Sequence, residues 1–201
     1  MMTIKVCGMR DVENIREVEA LGIDLMGFIF WPKSSRYVSA PPAYLPQHVK
    51  KVGVFVDACL DNIRQHIRDY QLDIVQLHGH ESPEFAKALK PTTVIKAFNI
   101  ATTDDLLQTE PYEGIADYFL FDTKGKLVGG NGEQFDWSVL TAYNGRTPFL
   151  LSGGIGPDDT ERIRTFYHPR CVGIDLNSRF EVSPALKDVN QLRTFIKEIR
   201  I

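Results

Sequence analysis

A thiol (Cys7), a guanidinium (Arg36) and a carboxylate (Asp122) stand at or beyond the downstream ends of short apolar runs, and Asp57, His78 and Asp175 lie at the ends of others. Two small-residue segments, Ser152-Gly153-Gly154 and Asn177-Ser178, stand in the same relation to later runs. A thiol and a carboxylate on separate elements can share base and acid work. The thiol, which ordinarily ionises near pH ~8.5, must reach a thiolate fraction, and the carboxyl must be buried enough to keep its proton above the usual pKa of about 3.9. Glycines let backbone N–H groups close on an anion, and a helix N-terminus adds partial positive charge. Each feature has a plainer reading: Cys7 as a small buried hydrophobe, Asp122 as a lysine partner or loop cap, the glycines as tight turns. It is their conjunction at strand ends that points to an enzyme pocket.

Other candidate residues lack such a conjunction. His78-Gly79-His80 lacks the further convergent ligands that a metal site needs, so no metal is expected. Cys59 and Cys171 read as structural. Gly125 to Gly132 is rich in glycine and reads equally as a mobile lid or as a surface loop.

The elements that must position these residues are legible in the hydrophobic pattern. Thr3–Cys7, Leu25–Phe30, Val52–Val56, Ile74–Leu77, Val94–Phe98, Tyr118–Phe121, Pro148–Leu151 and Val172–Leu176 are nearly continuous apolar runs, as in strands covered on both faces. Between them, Asp11 caps a helix to about Leu21, Asp61-Asn62-Ile63 opens one to Tyr70, and Ser82-Pro83 and Gly156-Pro157 mark further helix starts. Thr102–Leu107, Asp136–Tyr143 and Asp188–Ile199 are amphipathic, and the stretch from Pro41-Pro42 to His48 is the weakest helix of the set. Eight strand–helix units of about 20 to 27 residues, without a linker, predict one (β/α)₈ TIM barrel over residues 1–201, at the low end of that fold's size. A doubly wound open sheet is the alternative, but no GxGxxG follows the first strand. In either fold, ligands gather at the carboxyl ends of the strands. In a barrel, the loops after strands seven and eight, here Gly153-Gly154 and Asn177-Ser178, are the usual phosphate position.

Composition narrows the class. The chain has 201 residues with 23 Lys and Arg against 26 Asp and Glu, a net charge of −3. That balance argues against a broad nucleic-acid surface. The start carries no signal-peptide pattern, no run reaches the roughly 18 apolar residues of a membrane span, and three scattered cysteines suggest neither a disulfide framework nor a zinc ribbon. A cytoplasmic protein is expected.

The ordered motifs resemble one family, phosphoribosylanthranilate isomerase of tryptophan biosynthesis. They are Lys5-Val6-Cys7-Gly8, Gly27-Phe28-Ile29-Phe30 with Ser34-Ser35-Arg36-Tyr37, Val52-Gly53-Val54-Phe55, Val75-Gln76-Leu77-His78-Gly79 and Phe121-Asp122-Thr123. Gly129-Gly130-Asn131-Gly132 with Phe135-Asp136-Trp137, Leu151-Ser152-Gly153-Gly154 and Gly173-Ile174-Asp175 complete the series. The resemblance implies a ribulose-phosphate-binding barrel and an Amadori rearrangement of N-(5-phosphoribosyl)anthranilate, the third step towards tryptophan from chorismate, without metal or coenzyme. It implies Cys7 as general base, Asp122 as general acid, and Arg36, His78 and Asp175 as substrate-binding residues. Gly153, Gly154, Asn177 and Ser178 would hold the phosphate. The expected partner is a small phosphorylated substrate, with no nucleic acid or membrane, on a monomer or homodimer. The sequence departs from the family where a Ser-Ser-Gly-Val-Glu run becomes Asn177-Ser178-Arg179-Phe180-Glu181, so Arg179 stands where a glycine is usual. Rival phosphosugar barrels would show a lysine–glutamate set or paired His and Asp metal ligands, and a binding-only barrel would lack Cys7 or Asp122.

Overall fold

The computed structural model describes residues 2–41, 43–123 and 137–200. Eight parallel strands close on themselves in chain order: β1 (Thr3–Cys7), β2 (Leu25–Ile29), β3 (Lys50–Phe55), β4 (Ile74–Leu77), β5 (Thr93–Ile100), β6 (Tyr118–Thr123), β7 (Phe149–Ser152) and β8 (Cys171–Leu176). Each lies within two residues of its apolar run. Helices α1 (Val12–Glu19), α2 (Leu60–Tyr70), α3 (Pro83–Lys87), α4 (Thr160–Thr165) and α5 (Val189–Ile199) cover the barrel. Asp11, Ser82 and Asp188 cap α1, α3 and α5 with their side chains, as their types and places predict.

Three crossovers differ from expectation. Residues 31–49 form no helix among those described, because four prolines (Pro32, Pro41, Pro42, Pro46) remove the amides that a helix would need. Glu19 of α1 takes over that task, accepting from the N–H groups of Gln47 at 2.7 Å and His48 at 2.6 Å and from the Tyr44 hydroxyl at 2.5 Å. Thr103–Tyr112 and Trp137–Ala142 are 3-10 rather than α-helical, the first of them containing Pro111. The glycine-rich stretch from Gly125 to Gly132 lies outside the described residues.

Alternation along the strands divides the core. Leu25, Val52, Ile74, Ile95, Ala97, Leu120 and Leu150 fill the inside of the barrel, while Val6, Phe28, Val75, Phe119 and Phe121 belong to the larger cluster packed beneath the helices. The N-terminal rim repeats one device. Asp24, Asp73 and Asp117 immediately precede β2, β4 and β6. Each donates its N–H to a carbonyl on the preceding strand, that of Ile4, Lys51 or Val94, at 2.9–3.0 Å. The same three residues return their own N–H groups to the aspartate carboxylates at 2.7–2.8 Å. In the fourth pair, β7 and β8, the Phe149 N–H goes to the Arg170 carbonyl at 2.8 Å instead.

Candidate active site

At the C-terminal ends of the strands lies a cavity of about 180 Å³, lined by Cys7, Gln76, His78, Asp122, Ser152, Gly153, Gly154, Asp175, Asn177 and Ser178 with Ile29, Val54 and Ile155. Eight of the nine residues singled out from sequence therefore meet in one place. A larger cavity of about 920 Å³ opens at the other end, among the strand starts. Its carboxylates Asp24, Asp73 and Asp117 are already engaged in the rim hydrogen bonds.

Cys7 closes β1 with its side chain turned inward, and the lack of a side chain at Gly27 makes its room: a Cβ there would stand 2.6 Å from the sulfur. Two residues earlier, on the same face, Lys5 is fully buried and pairs with Asp175 of β8 at 2.9 Å. Ser152 Oγ lies 3.4 Å from the other oxygen of Asp175. Burial depresses the Lys5 ammonium, but Asp175 and Cys7 beside it prevail and hold it above its ordinary value. Burial raises the Cys7 thiol, and the opposing pull of Lys5 and Lys187 does not cancel that rise. The site thus presents a thiol that is harder to ionise than a free one.

Asp122, on β6, stands three strand positions from Cys7 around the closed sheet. It is partly covered, with 23% of its side chain exposed. Its neighbour is His78 rather than a lysine, with Nε2 at 3.5 Å. Gln76 Nε2 in turn lies 3.0 Å from His78 Nδ1. His80 points elsewhere, almost fully exposed beside Asp57. Among the described residues no three His, Cys, Asp or Glu side chains cluster as metal ligands would.

The glycines of the loop after β7 adopt left-handed backbone conformations, φ +94° at Gly153 and +69° at Gly154. A Cβ at Gly154 would meet nothing within 4 Å, so the space beside its Cα is open. Across from it, Asn177 and Ser178 follow β8. Arg179 lies against the β7 loop, its Nε 3.2 Å from where a Cβ of Gly156 would be. Arg179 thus brings a guanidinium beside the loop.

Arg36 is the exception to the convergence. It stands beside the cavity rather than among its lining residues, held by Glu181 through Nε (2.8 and 3.0 Å) and Nη2 (2.5 Å). Glu181 opens a short hairpin, β9 (Glu181–Ser183) and β10 (Leu186–Lys187). From β10 the buried Lys187 reaches Glu181 at 2.6 Å and Asn177 Oδ1 at 2.8 Å. Asn14 of α1 pins the hairpin, its amide bonded to both the N–H and the carbonyl of Lys187. Burial pushes the Glu181 carboxyl up, but the hydrogen bonds from Arg36 and Lys187 hold it below the usual carboxylate range.

Lys5, Gln76, Glu181 and Lys187 carry no assignment in the sequence reading. Two of them had a signal there: Lys5 and Gln76 stand two residues before Cys7 and His78, hence on the same strand face. Glu181 and Lys187 had none, since only the folded hairpin brings them to Arg36.

Known proteins share the sequence pattern and the fold. The family described as N-(5'phosphoribosyl)anthranilate (PRA) isomerase matches residues 4–198. A relative from Parabacteroides distasonis, named N-(5'-phosphoribosyl)anthranilate isomerase, is 52% identical, with 98% of this chain and 93% of the relative covered. The crystal structure of phosphoribosyl anthranilate isomerase from Thermotoga maritima superposes with a TM-score of 0.85 at 32% identity, covering 100% of this chain and 99% of that one. Another phosphoribosyl anthranilate isomerase, solved with reduced 1-(o-carboxyphenylamino)-1-deoxyribulose 5-phosphate, superposes with a TM-score of 0.83 at 29% identity, covering 100% of this chain and 99% of that one. The chain belongs to the N-(5'-phosphoribosyl)anthranilate isomerase family.

Proposed function

We propose that Cys7 and Asp122 are the base and acid by which this chain isomerises N-(5'-phosphoribosyl)anthranilate to 1-(2-carboxyphenylamino)-1-deoxyribulose 5-phosphate, the family's step in tryptophan biosynthesis. The observation that carries the reading is their meeting on separate strands around one small cavity, beside two loops suited to an anion. Asp122 gives a proton to the furanose ring oxygen. The C–O bond to the anomeric carbon breaks as the amine lone pair forms a C=N bond. Cys7, as thiolate, then takes the proton from C2, and the resulting enolamine gains a proton at C1 and loses one from its hydroxyl to become the aminoketone. Lys5 and Lys187 supply positive charge next to the thiolate as it forms.

Phosphate is held by the backbone at Gly153 and Gly154 and by Asn177 and Ser178, with the Arg179 guanidinium near the same loop. His78 and Asp175 face the sugar, and Arg36 takes the anthranilate carboxylate. None of these steps calls on a metal or coenzyme. The Thermotoga maritima relative is described as dimeric, and a monomer or homodimer in the cytoplasm is the state proposed for this chain. No helix among the described residues is long and apolar enough to cross a membrane. The test is to generate phosphoribosylanthranilate in situ, add the purified protein, and identify the product while following loss of substrate fluorescence. Unchanged substrate would defeat the assignment.

A further inference from the structure

The acid step, resting on the assignment of Asp122 above, leaves one group unexplained. Gln76 is 1% exposed, and its Oε1 is buried without a hydrogen-bond partner among the described residues. Its Nε2 lies 3.0 Å from His78 Nδ1, and His78 Nε2 lies 3.5 Å from Asp122 Oδ2, so the three side chains run in a line into the cavity. A buried amide oxygen without a partner is costly and calls for an explanation.

What this amide can do follows from the proton count of the line. An amide offers a donor at one atom and an acceptor at the other, and a neutral imidazole has one of each. With Gln76 Nε2 donating, His78 Nδ1 must be bare, so the ring proton sits on Nε2 and faces a carboxylate. That pair has already given up its acid proton. A pair carrying one more proton is either a carboxyl O–H against a bare Nε2 or a carboxylate against an imidazolium. Both have N–H at Nδ1, where an amide N–H would oppose it, donor against donor. A neutral carboxyl still receiving from Nε2–H is the poorest arrangement, because a donor favours the ionised carboxylate. Turning the amide by half a rotation brings Oε1 to Nδ1. The side chain keeps its shape, and one buried polar atom lacks a partner before and after, so the His78 proton decides the orientation.

We propose that Gln76 is a positioning residue for the acid step, turning Oε1 to His78 to hold a proton on Nδ1 and thereby keep the His78–Asp122 pair loaded. The other titratable groups lining the cavity are Cys7 and Asp175, and Asp175 is already paired with Lys5. None of them contacts Nδ1 in place of Gln76.

The test reads the tautomer directly. In protein carrying nitrogen-labelled histidine, the His78 ring signals are assigned among the five histidines by their loss in His78→Asn. They are then recorded with the reduced product analogue bound. The wild type should carry its proton at Nδ1. Gln76→Met should move it to Nε2 and lower kcat about 10- to 100-fold with KM within about threefold. Gln76→Glu, which can only accept, should keep it at Nδ1. A wild-type His78 bare at Nδ1 with the analogue bound overturns the proposal, even if the Met variant does not fold. So does a folded Met variant with unchanged tautomer and kcat. Asp122→Asn separates the two claims. If it retains turnover, the acid assignment and this inference fall together. If it loses turnover while wild-type Nδ1 is bare, only the inference falls.

Discussion

Glu181 grips Arg36 along one edge, through Nε and Nη2, which leaves Nη1 and the outer N–H of Nη2 without a partner among the described residues. Lys187 is bound to the same carboxylate, so two cations share one anion in a largely buried place. The free edge is a planar fork of the kind that matches a carboxylate. A lysine at position 36 could satisfy Glu181 but could not present that fork as well.

Arg36→Lys should therefore weaken the reduced product analogue while barely changing the affinity for inorganic phosphate. A lost charge-assisted hydrogen bond costs about 1.5–3 kcal/mol, or roughly 10- to 150-fold in affinity. Gly154→Val should do the reverse, since its φ of +69° is hostile to a β-branched residue and the side chain would enter the open space beside the loop. Calorimetric titration of both variants with both ligands decides. Equal weakening of the two ligands by Arg36→Lys would mean that this arginine does not serve the aryl end.

Cys7→Ala and Asp122→Asn should each lose about 10²–10⁴-fold in turnover, the usual scale of acid–base assistance. Circular dichroism should show both folded, since neither side chain anchors the core cluster. Turnover within a few fold of wild type would remove that residue from the mechanism.

Burial holds the Cys7 thiol above its ordinary value while Lys5 and Lys187 pull it down. The reactive form is the deprotonated one, so the pseudo-first-order rate of alkylation at Cys7 should still be climbing with pH beyond about 8.5, the ordinary thiol value. Lys187→Met removes one of the cations favouring thiolate, which moves the rise to higher pH still. Peptide mapping by mass spectrometry separates Cys7 from Cys59 and Cys171. A rate already at its plateau at neutral pH would contradict the electrostatic picture.

Exhaustive chelation should leave turnover unchanged, because the proposed proton transfers run through side chains alone. Inactivation that is reversed only by adding back one particular metal would refute this.

At the opposite rim, Asp117→Ala removes the acceptor for the Val94 N–H and should cost roughly 1–3 kcal/mol of stability by chemical denaturation. Asp117→Asn keeps a carbonyl oxygen at that place and should cost less. Equal losses for the two variants would assign the effect to the Lys90–Asp117 ion pair instead.

The barrel was legible because its strands are buried on both faces and so read as uninterrupted apolar runs. The site was legible wherever chemistry is placed directly at a strand end, as at Cys7, Asp122 and Gly153. What stayed hidden depends on distance along the chain. Glu181 meets Arg36 across 145 residues, and Lys5 meets Asp175 across 170. No local pattern encodes such pairs. The β2–β3 crossover failed as a helix for a local reason that its four prolines already gave. The three aspartates before even-numbered strands were also visible, as an apolar-Asp-apolar repeat, but their role appears only once neighbouring strands are side by side.

That repeat has a bearing on how the molecule breathes. Three of the four strand pairs are stapled at the rim by a carboxylate, and the unstapled pair, β7 with β8, is the one whose far ends carry the two loops proposed to hold the phosphate. Amide exchange should therefore find its lowest-energy opening in this quarter of the barrel, and a bound phosphate should slow exchange there before anywhere else. The ligand would then act as the fourth staple, applied from the opposite end of the strands.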